Sequence, residues 1–314
     1  MSVIVRPRTA ADIDSRVERI LADLGRPEPP LDLPTVRELL RLDLAFYRLD
    51  DPSLLDRTVS RMKIAGKQVL ARPTLLLDAV RKLDLKALYI PDQRRIMIDG
   101  SQPVLKHRWS EAHEIGHSIL PWHDGAMLGD DRQTLLPACH AQLEAEANLA
   151  AAKLLFLRDR FDETCRAYAP SIASVKALKP LFGNTYATTF WRAVMVWGED
   201  KHVLGMISDN PAIMRTEVTF NPAQGCKHFI TPPAFASAFP TIGPAEVFPS
   251  VTRYCKPARG GPLGSNEIVI PDADGNGHAF AFESFSFGHQ TLTLGVHSHV
   301  VKSQVALRSA GGSL

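Results

Sequence analysis

The sequence predicts an α+β fold: a helical N-terminal half, a further helical segment, and a β-rich C-terminal part. Three observations predict it. Up to about residue 170, apolar residues recur at helical spacing, as in Ile13, Val17, Ile20, Leu21 and Leu24. Residues 171–197 read as two helices around Phe182-Gly183-Asn184. After about Gly198, Pro and Gly become frequent between short β-rich runs. The expected boundaries are 1–160, 161–198 and 199–308, with a disordered tail at 309–314.

The elements follow in order. Asp12 to Leu24 reads as a helix, and Pro27, Pro29 and Pro30 break the chain after it. Pro34-Thr35-Val36 opens a second helix through Leu40, because Pro is tolerated in a first turn. Leu42 to Tyr47 reads as a strand and Pro73 to Leu83 as a helix. Ala87-Leu88-Tyr89-Ile90 and Arg95-Ile96-Met97-Ile98, joined by Pro91-Asp92-Gln93, predict a hairpin. Helices are expected from about Lys106 to Leu120, stopped by Pro121, and from about Leu143 to Leu157. Gly183 suits a helix C-cap, and the pair it joins is either a plain helical hairpin or a helix-turn-helix. Strands are expected at Val203 to Ile207, Glu267 to Ile270, Ala279 to Phe287 and Thr291 to Val296.

With 314 residues, 45% hydrophobic and 22% charged, the chain has the composition of a soluble globular protein with a full core. A net charge of +2 does not mark a general nucleic-acid binder. The start lacks an apolar core of signal-peptide length, and no run is long enough to span a bilayer. The expected location is the cytoplasm, without a membrane partner. Cys139, Cys165, Cys226 and Cys255 are widely spaced with no CxxC pair, which predicts free thiols.

Chemistry concentrates at His113-Glu114-Ile115-Gly116-His117. On a helix, residues four apart share one face, so His113 and His117 can grip one metal ion. Glu114 follows the first ligand and can reach a water at the metal without being a ligand; this is the content of the HExxH pattern. A catalytic zinc usually takes three protein ligands. His123 reproduces the His spacing of the longer HExxHxxGxxH pattern, but Leu120 stands where that pattern needs Gly. Glu144 lies in Leu143-Glu144-Ala145-Glu146-Ala147-Asn148-Leu149-Ala150-Ala151, whose small residues would allow close packing against the motif helix. Glu146 points roughly 200° away from Glu144 on that helix, so only one of them can ligate.

Together, the HExxH segment and the ExEAN segment at Glu144–Asn148, with Leu154-Leu155 after it, resemble the ImmA/IrrE family of metallopeptidases. The resemblance covers about residues 10–160. Lys153-Leu154-Leu155-Phe156-Leu157 departs mildly from the family's usual ending and touches no ligand. It implies a zincin-like peptidase domain at 1–160, with His113, His117 and Glu144 as Zn2+ ligands and Glu114 as catalytic base. It also implies a substrate, a helix-turn-helix transcriptional repressor whose cleavage induces stress-response or phage-defence genes. DNA damage or single-stranded DNA is the trigger that the resemblance suggests. Some members continue into helix-turn-helix-like and GAF-like domains, which would correspond to 161–198 and 199–308. His123, His140 and tyrosines stay open as second oxyanion donors. Cys139, five residues before Glu144, is a candidate inhibitory zinc ligand, because a thiolate in the open position would hold the enzyme off. The alternative is a DNA-binding transcriptional regulator whose zinc site is not catalytic.

Three weaker signals lie in the C-terminal part. Asp272 to Gly277 with Glu283 spells a calcium-loop pattern, but the strand-like flanks predict a hairpin turn. His297-Ser298-His299 reads as surface, and Arg253, Lys256 and Arg259 as a solvated basic loop.

Overall fold

The computed structural model describes residues 5–47, 87–127, 137–214, 221, 225–288 and 290–301. The helix read at Pro73–Leu83 and the tail lie outside these residues. The protein is α+β, and its chain divides into two compact units. One holds residues 1–161 and 180–185, the other 162–179 and 186–314. The helical stretch 161–198 is therefore not a body of its own: most of it groups with the β-rich part.

In the first unit, α1 is Pro7–Asp23 and α2 is Leu33–Leu40. Ile13, Val17, Ile20 and Leu21 form the buried stripe of α1, as their spacing requires. Asp32 caps α2, its Oδ2 accepting from Thr35 N–H at 3.1 Å. A three-stranded sheet follows in the order β1 (Asp43–Tyr47), β3 (Arg95–Asp99), β2 (Ala87–Ile90). The expected hairpin is present: β2 and β3 are antiparallel across a 3₁₀ turn at Pro91–Gln93, while β1 joins β3 in parallel.

Helix α3 (Val104–Ser118) carries the HExxH motif, α4 is Pro121–Met127 and α5 is Pro137–Leu155. Pro121 opens α4 rather than merely stopping α3, which ends three residues earlier at Ser118. Helices α3 and α5 touch at Gly116, where an added Cβ would lie 2.7 Å from the Ala147 carbonyl oxygen and 3.3 Å from Ala150 Cβ. Ala147, Ala150 and Ala151 are fully buried. The small residues thus bring the two helices to backbone contact. Asp14 of α1 takes ion pairs from Lys153 and Arg158. The Arg158 hydrogen bond, helped by Lys153, outweighs partial burial and holds the Asp14 carboxyl below its ordinary range.

Helix α6 (Asp159–Arg166) runs across the unit boundary, followed by α7 (Ile172–Phe182) and α8 (Tyr186–Trp197). The second unit is built on an antiparallel sheet in the order β5 (His228–Ile230), β4 (Val203–Ser208), β8 (Gln290–Val300), β7 (Gly277–Phe287), β6 (Gly261–Pro271). All six residues of β4 are buried. On one side, Gly205 lets α8 approach, since a Cβ there would meet the Phe190 ring at 2.9 Å. Leu204 and Met206 join a core with Phe235, Phe239, Phe248 and Val251. Phe235 belongs to α10 (Pro233–Ala238), Phe239 follows its last residue, and Phe248 and Val251 belong to α11 (Pro244–Tyr254); these helices and the short α9 (Pro211–Met214) were not expected from the sequence.

The calcium-loop letters form a hairpin turn between β6 and β7. Asp272 Oδ1 accepts from the Asp274 and Asn276 amides at 2.9 and 2.8 Å. Glu283 instead accepts from Ile172 N–H at 2.6 Å, at the start of α7. Of His297-Ser298-His299, Ser298 and His299 are exposed as expected, while His297 is half-buried. A bulge between Ala279 and Phe280 shifts the register, and His297 Nε2 meets His278 Nδ1 at 3.1 Å.

Candidate metal centre

Helix periodicity places His113 and His117 on one face of α3, one turn apart. Their Nε2 atoms face each other at 3.2 Å. The close approach of α5 at Gly116 delivers Glu144 to the same point. Its Oε2 lies 3.2 Å from His113 Nε2, and its Oε1 3.5 Å from His117 Nε2. Among the described residues, these three are the group whose donor atoms converge closely enough to hold a metal ion, all within 4.8 Å of one another.

The donor set fits zinc. Two imidazole nitrogens and a carboxylate are electron-rich atoms that repel one another unless a cation or proton lies between them. Ligands 2.0–2.1 Å from a tetrahedral zinc lie about 3.3 Å apart, close to the separations between these donors. One side is open: the Glu144 side chain is 41% exposed, against 4% for His117. An open position is what separates catalytic from closed structural zinc sites.

Charge is coupled across the group. Burial opposes protonation of His113, but the hydrogen bond with Glu144 and the Glu114 and Glu144 charges raise its pKa. Burial also opposes ionisation of Glu144, yet the bonds to His113 and His117 hold its carboxyl far below the ordinary range. Glu114 is 4% exposed, and burial raises its pKa, with His117 and His113 opposing. The Tyr89 backbone N–H of β2 donates to its carboxylate. Glu114 is thus a buried carboxylate one residue from His113 of the converging group.

The second row of contacts was less legible. His113 Nδ1 meets Asn148 Oδ1 at 3.1 Å, so the Asn of the ExEAN segment orients the His113 ring. His123 is absent from the converging group. It is fully buried behind His117, Nδ1 to Nδ1 at 2.8 Å, with its own Nε2 3.1 Å from Glu146 Oε2. With both ring nitrogens engaged, it is not placed as an oxyanion donor. Burial, the largest influence, lowers its pKa to about 4. Glu146 is 5% exposed and also accepts from Trp122 Nε1 at 2.7 Å and Gln142 Nε2 at 2.8 Å. The Cys139 and His140 side chains, in the first turn of α5, lie outside the described residues.

No family model and no curated protein matches this chain. Among solved structures, it is similar to a Mycobacterium tuberculosis transcriptional regulator at TM-score 0.48 and 13% identity, over 96% of this chain and 93% of that one. Among the described residues, no helix is long and apolar enough to cross a membrane.

Proposed function

We propose that this chain is a zinc-dependent endopeptidase of the ImmA/IrrE type, acting in the cytoplasm on a helix-turn-helix transcriptional repressor. Cleavage would induce stress-response or phage-defence genes, with DNA damage or single-stranded DNA as the trigger. The observation that carries the reading is the convergence of His113, His117 and Glu144 with Glu114 buried alongside.

Bound through these three side chains, zinc supplies Lewis acidity that polarises the scissile carbonyl and acidifies water. Glu114 takes the proton as water attacks and passes it to the leaving amine. Tyr89 N–H fixes the carboxylate's direction from the edge strand β2. Asn148 holds His113 in the tautomer that leaves Nε2 free.

The alternative, a DNA-binding regulator with a non-catalytic zinc site, has less support. It would use residues 171–197, where one face of α8, formed by Thr189, Phe190, Ala193, Val194, Val196 and Trp197, is buried and Trp191 is exposed. The cation on α8, Arg192, is paired with Asp162. A structural zinc site also gives no reason to bury an acid at Glu114.

The test is incubation with the repressor encoded beside this chain's gene, with zinc, with and without single-stranded DNA. A single discrete cut that disappears on chelation is expected. An intact repressor under every condition refutes the proposal.

A further inference from the structure

We infer that Glu146 and His123 are a positioning pair that fixes the tautomer of His117 and turns its Nε2 lone pair into the metal site. The inference rests on the metal reading proposed above. It follows from counting hydrogens along one chain of contacts. A glutamate carboxylate only accepts, so the 3.1 Å contact between Glu146 Oε2 and His123 Nε2 places the hydrogen on His123 Nε2. With its hydrogen on Nε2, the His123 imidazole carries its lone pair on Nδ1. That lone pair faces His117 Nδ1 at 2.8 Å. Two facing nitrogens need one hydrogen between them, and His117 has to supply it. Its Nδ1 therefore carries the hydrogen, and its Nε2, which faces Glu144 and His113, is left as a donor to metal.

The far end of the chain is anchored. Trp122 Nε1–H and Gln142 Nε2–H both donate to Glu146, so the carboxylate is fixed in place by two donors besides His123. Glu144 and Glu146 thus divide the work on α5. One is aimed at the metal, and the other orients a metal ligand through His123 of α4. A carboxylate linked to a metal-bound histidine also raises that ligand's basicity, and removing such partners typically costs about 10- to 100-fold in metal affinity.

The experiment is a chelator competition for zinc on the full chain, with wild type, Glu146→Gln and Glu146→Met. Glu146→Met fills similar space but accepts nothing from His123, and its zinc Kd is expected to rise about 10- to 100-fold. Glu146→Gln keeps an acceptor and loses the charge, and is expected to fall between. Long-range ¹H–¹⁵N spectra of the zinc-loaded wild type read the tautomers directly, whether or not the variants fold. The hydrogen is expected on Nδ1 of His117 and Nε2 of His123. A folded Glu146→Met chain that binds zinc as wild type does, or a His123 hydrogen on Nδ1, overturns the inference alone. A wild-type chain that takes up no zinc overturns the metal reading and this inference with it.

Discussion

Changing Glu114 to Gln is expected to slow repressor cleavage by about 10²- to 10⁴-fold, the range associated with a positioned general base, while zinc uptake stays at the wild-type level. Glu114 is not among the converging donors, so the His113, His117 and Glu144 group is left intact. In the metal-free chain, the same change is expected to leave the melting temperature equal to or above that of wild type. Burial raises the Glu114 pKa, which means that the folded state disfavours the charge that the amide removes. The Tyr89 N–H keeps an acceptor in the glutamine carbonyl. Activity lost with stability retained or gained is the pattern of a residue kept for chemistry. Cleavage kinetics, zinc content and a thermal melt on one preparation check all three parts. Wild-type cleavage by a homogeneous Glu114→Gln chain would remove Glu114 from the mechanism.

The second large effect is at Gly116. In an exposed helix, Gly→Ala stabilises by roughly 1 kcal/mol. Here the sign reverses, because the new Cβ would lie 2.7 Å from the Ala147 carbonyl oxygen and 3.3 Å from both Ala147 Cα and Ala150 Cβ. Two of those atoms are backbone, so no rotamer change relieves them. Helix α5 has to move away from α3, at a cost of about 1–3 kcal/mol typical of overpacking. Glu144 travels with α5, one turn from the contact, so zinc affinity is expected to fall along with stability. Denaturant unfolding and zinc titration of Gly116→Ala measure the two effects. A stabilised variant with unchanged affinity would show that the helices are not in contact at this point.

The motif helix and the meeting of His113, His117 and Glu144 were legible in the sequence. The reason is that helical spacing fixes which side chains share a face, and that Gly116 and the alanines of α5 announce a tight contact. The β2–β3 hairpin and four strands of the second sheet were legible from alternation and turn residues, though β6, β7 and β8 run longer than their apolar runs suggest. Helices α10 and α11 were not. Pro233 and Pro244 sit in their first turns, and Pro249 lies inside α11, so the segment reads as breakers rather than as helix. The partnership of Glu146 with His123 was hidden for another reason. The two residues lie 23 apart in sequence, and their meeting depends on how α4 folds back beside α5. A local signal existed in Gln142, one turn before Glu146, but it acquires meaning only once Trp122 and His123 are placed. The contact of His297 with His278 was not read, because the bulge beside it is invisible to a period-two reading.

The central claim is that His113, His117 and Glu144 hold zinc together, and the most direct measurement is the zinc content of the purified chain and of its ligand variants after equilibration with the metal. The account predicts one zinc ion per wild-type chain, and loss of that ion from folded His117→Ala and Glu144→Ala chains. A wild-type chain that stays metal-free, or a folded His117→Ala chain that keeps its full complement, would contradict it.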